Sequence, residues 1–169
     1  MRLDVESLRG RHPRLAPESA GVLALNVAVA LDRRHKPGVV MATEAFGAAV
    51  DASLSWQPRP SDASEMLDID KVTELGAEAI ALVLVHEMRG WVARRRLQKG
   101  EYADWLLLDQ QGQLVALEVS GTDHDDAAAR MREKLVQVAK CVAGRTRAAC
   151  VVRFEGPTTA IKDCPTSLR

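Results

Sequence analysis

A chain of 169 residues, 47% hydrophobic and 27% charged, has room for a proper core and reads as one domain. Lys and Arg total 23 against 23 Asp and Glu. That balance excludes a strongly basic nucleic-acid coat, and no apolar run approaches the roughly 18 residues that would span a bilayer.

Aromatic residues make up only 4% of the chain, so the core has to be built from Leu, Val and Ala. The first ten residues lack the apolar stretch of a secretory leader. Cys141, Cys150 and Cys164 are odd in number and without metal-type spacing. Reduced, buried thiols of a cytoplasmic protein are the simplest reading of them.

Residues 1–16 are basic and broken by Pro13, just ahead of Pro17, and read as an irregular arm. Residues 18–34 carry Val22, Leu23, Leu25, Val27, Val29 and Leu31, a pattern for a buried helix with Pro17 in its first turn. Arg33, Arg34, His35 and Lys36 favour its C-terminal end, and Pro37-Gly38 stops it. Residues 39–45 and 49–56 flank Phe46-Gly47 and predict a hairpin with one exposed face, and 57–64 predicts a loop.

Asp68 or Asp70 can cap a helix running to Arg89, with Leu75, Ala79, Leu82, Val83 and Val85 as its apolar face. Gly76, Ala77 and Ala79 are small enough to let another element approach. Residues 91–97 predict an edge strand wetted by Arg94, Arg95 and Arg96. Residues 105–108 and 114–119 predict a hairpin about Gln110-Gln111-Gly112. Asp125 or Asp126 caps a helix to about residue 143, and 147–154 reads as a buried strand. Residues 155–169 read as a loose tail.

Chemistry concentrates on the hairpin. Asp104 starts its first strand, and Glu118 stands among Leu, Val and Ala in its second. A carboxylate in such a strand costs several kcal/mol, as a rough desolvation figure, unless something compensates it. A hard divalent cation is one such compensation. The chain shows no phosphate-binding glycine loop, zinc spacing, nucleophile elbow or dinucleotide fingerprint, so the paired carboxylates are its one catalytic constellation.

An Asp at the start of one strand and Glu118-Val119-Ser120 on the next resembles the PD-(D/E)xK nuclease superfamily. Ser120 stands where that motif has Lys, and Ala103 where it has Pro. The predicted order over residues 70–154 is helix, three strands, helix, strand. It matches the superfamily's α/β restriction-endonuclease-like core, with residues 1–64 as a helix-and-hairpin extension. The resemblance implies a metal-dependent nuclease acting on nucleic acid, DNA in the first instance, with Mg2+ or Mn2+ as cofactor. It implies Asp104, Glu118 and the carbonyl of Val119 as metal ligands, joined by Glu74 or Glu78 from the first helix. Lys134 on the following helix stands in for the missing motif Lys. Gln137 matches a helix Gln used by exonuclease-type members.

Each residue also has a plainer reading. Asp104 can accept backbone hydrogen bonds at the strand's start, and Glu118 can pair with Lys134 or an arginine. Glu74 and Glu78 fit a solvated helix face, Ser120 a small strand-end residue, and His124 an acidic capping loop. Charge is unevenly spread: residues 37–88 hold nine acids and two bases, and residues 130–169 nine bases and three acids. A catalytically inactive relative would serve as a nucleic-acid-binding subunit, a homodimer or an adaptor whose surface centres on Trp56. No membrane partner is expected.

Overall fold

The computed structural model describes residues 1–60, 63, 65 and 67–165. The loop expected over 57–64 and the tail expected to 169 therefore lie partly outside the described residues. Among these, eight strands form one mixed sheet flanked by four helices. In chain order they are β1 (Arg2–Asp4), α1 (Leu8–Arg11), α2 (Pro17–Asp32), β2 (Val40–Ala45), β3 (Ala48–Ser55), α3 (Ile69–Arg89), β4 (Val92–Arg96), β5 (Trp105–Leu108), β6 (Leu114–Thr122), α4 (Ala127–Ala139), β7 (Thr146–Arg153) and β8 (Thr158–Asp163).

The sheet order is β1-β3-β2-β8-β7-β6-β5-β4. β4, β5 and β6 pair antiparallel, and α4 then carries the chain across to β7, parallel to β6. The expected helix, three strands, helix, strand order is present. Two expectations fail. The tail forms β8, which pairs antiparallel with β7 and parallel with β2. Its alternating Thr159 and Ile161 are buried, so the β2–β3 hairpin joins the main sheet instead of standing apart as an extension. The N-terminal arm is likewise ordered: β1 pairs parallel with β3, and Leu3, Val5 and Leu8 enter the core.

α3 is the axis of the packing. Asp68 caps it, its side chain accepting from the backbone N–H groups of Asp70 and Lys71, and Gly90, at φ 64°, ends it. Sequence predicts one apolar face, but every residue from Gly76 to Val85 is buried. The reason is α2, which covers the side of α3 facing away from the sheet: a Cβ on Gly76 would lie 3.2 Å from the Val27 Cα. On the sheet side the approach is closer still. A Cβ on Gly121 of β6 would sit 2.2 Å from the Thr73 carbonyl oxygen.

β6 separates two cores. Val115, Leu117 and Val119 pack with α3, whereas Ala116 packs with Met131 and Val138 of α4. The even-numbered positions Glu118 and Ser120 therefore face α4. α4 begins where Asp126 caps it and ends at Ala139, four residues before the predicted stop. None of the three cysteines forms a disulfide. Among the described residues no helix is long and apolar enough to cross a membrane. Trp56 is 5% exposed and its indole N–H donates to Asp32 at 2.7 Å, so it cannot centre a docking surface.

Candidate active site

The β5–β6 register pairs Trp105 with Leu117, which sets Asp104 directly opposite Glu118. Cross-strand partners project to the same face with Cβ atoms roughly 5 Å apart. Trp105 and Leu117 go to the α3 side, so the two acids emerge on the α4 side. There the Asp104 charge acts on Glu118. β5 starts at Trp105, so β6 runs past the end of its neighbour. At that edge the Val119 N–H donates to Asp104 Oδ2 at 2.8 Å. A residue in a strand directs N–H and C=O to the same side, and so the Val119 carbonyl opens on the same gap.

α4 supplies the facing side chains. Arg130, Lys134 and Gln137 fall at i, i+4 and i+7 and share one face of it. Lys134 Nζ donates to Glu118 Oε1 at 2.7 Å and to Gln137 Oε1 at 3.2 Å. Arg130 Nη1 donates to the Ser120 hydroxyl at 3.1 Å, and the same guanidinium is paired with Asp125. The Lys134 ammonium thus reaches Glu118 from the next helix.

Glu118 is 2% exposed. Burial, reinforced by the Asp104 charge, pushes its carboxyl up to about 7 against the pull of Lys134. Asp104 is raised too, first by burial, with the Val119 N–H and Lys134 opposing. Glu118 Oε2 is buried without a hydrogen-bond partner among the described residues. A buried carboxylate oxygen with no donor is costly, and a proton shared with Asp104 or a cation between the two acids would satisfy it. Among the described residues no group of three or more His, Cys, Asp or Glu is arranged to hold a metal ion. The donor set here is two carboxylates and one carbonyl. That fits Mg2+ or Mn2+, which take one or two protein carboxylates and complete their shell with water and substrate phosphate.

The structure separates the two helix glutamates. Glu74 is exposed and lines a cleft of about 570 Å³ together with Val119, Ser120, Arg130 and Lys134. Glu78 is buried on the opposite side of the sheet. It accepts the Trp105 indole N–H at 2.9 Å and pairs with Arg96. Burial, opposed chiefly by Arg96, raises it to about 7. With both oxygens so engaged, Glu78 anchors β4 and β5, and it also feels the Asp104 charge. His124 bonds Glu155 at 2.6 Å and Asp123 pairs with Arg33, tying the loop after β6 to neighbouring segments.

Sequence reasoning overlooked Arg130, whose four-residue spacing from Lys134 is the signal that would have found it. Comparison with family models, with curated proteins and with solved structures gives no match for this chain.

Proposed function

We propose that this protein is a metal-dependent nuclease of the restriction-endonuclease-like fold, with Asp104 and Glu118 as its acid pair. The observation that carries the reading is the ammonium of Lys134, 2.7 Å from Glu118 on the face where Asp104 and Glu118 meet. The strand register supports the acids' convergence, and the order of α3, β4–β6, α4 and β7 supports the fold assignment.

Mg2+ bound by these oxygens would supply a Lewis acid for the phosphate and a water of lowered pKa. The chain's own residues do the rest. Asp104, held by the Val119 N–H, keeps its carboxyl oriented toward Glu118. Lys134, steadied by Gln137, presents a positive charge at the rim of the cleft, where it can contact a phosphate oxygen or the attacking water. Arg130 adds a second cation beside Ser120. Burial of the pair keeps bulk water from screening these charges.

The test is hydrolysis of a labelled DNA substrate with Mg2+ or Mn2+, comparing the native chain with Lys134→Ala. Cleavage by the native chain, abolished in a variant that keeps its fold, supports the reading. Unchanged cleavage in Lys134→Ala removes Lys134 from the mechanism.

The same ion pair favours a second reading, in which Lys134 itself neutralises Glu118 in place of a metal and the protein binds nucleic acid or a protein partner without cutting. Metal binding separates the two. Mn2+ stabilises the chain in the first and has no effect in the second.

A further inference from the structure

A groove of about 470 Å³ lies between the start of α2 and the edge strand β4, on the α3 face of the sheet. Leu15, Leu23, Leu75 and Val22 form its apolar wall, and Arg14 and Arg94–Arg96 its rim. Two of those charges are spoken for: Arg96 pairs with Glu78 and Arg95 with Glu101. Arg14 and Arg94 are exposed and have no partner among the described residues. Glu18 is the one acid among the described lining residues. Val22 is 48% exposed, an apolar side chain left facing solvent on an otherwise well-packed helix.

The groove adjoins the cleft lined by Glu74, Val119, Ser120, Arg130 and Lys134. Leu75 lines the groove and Glu74, one residue earlier on α3, lines the cleft. Strand addition at β4 is blocked, because His12 Nδ1 already accepts the outward Ala93 N–H at 3.0 Å. What fits is an anion with an apolar body. A base already paired in a duplex has no free face for an apolar wall, whereas an unpaired base has one.

We infer that this groove holds an unpaired nucleotide of the substrate, its base against Val22 and Leu75 and its phosphates on Arg14 and Arg94. The substrate of the adjoining site is then a single-stranded end or flap. The inference rests on the nuclease reading for its choice of occupant.

The experiment is fluorescence anisotropy with a labelled oligothymidylate of about twelve nucleotides, without metal, for the native chain, Arg14→Ala/Arg94→Ala and Val22→Glu. All three groove residues are exposed, so the melting temperatures of the groove variants should match the native one. The double variant should bind about tenfold more weakly at low salt. Its salt slope should fall by about 1.4, the loss of two single-strand phosphate contacts. Val22→Glu should weaken binding similarly. A duplex of the same length should bind more weakly than the single strand. Native-level binding by the groove variants, preference for duplex, or displacement of the strand by an acidic peptide would each overturn the assignment. Binding that depends on the groove in a chain that cuts nothing would sink the nuclease reading and leave the groove standing.

Discussion

Replacing Glu118 by Gln should make the protein more stable, not less. Its side chain is 3% exposed, and burial with the Asp104 charge moves its carboxyl from 4.5 to about 7. At about 1.4 kcal/mol for each tenfold change in proton affinity, folding with this group ionised costs roughly 3 kcal/mol more than folding with it neutral. The raised group binds its proton more tightly in the folded state, so its stabilising contribution is complete below pH 4.5 and is lost as pH rises through about 7. Gln imitates the neutral acid. Melting curves of the two proteins without metal should coincide near pH 4.5 and separate as pH rises. By pH 8 the variant should melt about 6–12 °C higher, at roughly 2–4 °C per kcal/mol for a chain of this size. On the nuclease reading proposed above, the same variant should lose cleavage, a trade of stability for function. A Glu118→Gln protein that melts below the native one at pH 8 would mean that the Lys134–Glu118 pair outweighs its desolvation. Glu118 would then be a structural ion-pair partner.

Three further perturbations test the framework around the site. Gly121→Ala drives a methyl into the Thr73 carbonyl at 2.2 Å, so α3 has to move off β6. A loss of about 3 kcal/mol or more in denaturant unfolding is expected, and a wild-type midpoint would contradict the close packing. Glu78, raised to about 7, also contributes stability that fades between pH 4.5 and 7. Glu78→Gln should flatten that part of the pH profile, and a native-like slope in the variant would remove Glu78 as its source. Asp68→Ala removes the α3 cap and should cost about 1 kcal/mol, read as a lowered thermal midpoint with cleavage retained.

Glu118 was legible in the sequence because buried charge in a Leu and Val strand is expensive, and Asp104 because it starts the neighbouring strand; their register comes from the β5–β6 pairing. The alternation over residues 51–56, all but the last of them in β3, and the capping acids were local signals: of the pairs Asp68 or Asp70 and Asp125 or Asp126, the structure uses Asp68 and Asp126. What failed was long-range. Residues 158–163 have an ordinary alternating pattern, but Pro157 and Pro165 on either side suggested a tail, and only pairing with β2 and β7 makes the segment a strand. α3 looked one-sided because its outer residues are small, and their burial depends on α2. Glu78 and Glu74 are equivalent on a helical wheel. Trp105 and Arg96 distinguish them, and neither is near in sequence.

The central claim is that Asp104 and Glu118 share a cation. The most direct measurement is anomalous diffraction from crystals soaked in Mn2+ near pH 8, above the raised range of Glu118. A single manganese peak within bonding distance of both carboxyl groups and of the Val119 carbonyl is the predicted result. A map with no such peak, and with Lys134 still bound to Glu118 at saturating Mn2+, would contradict it.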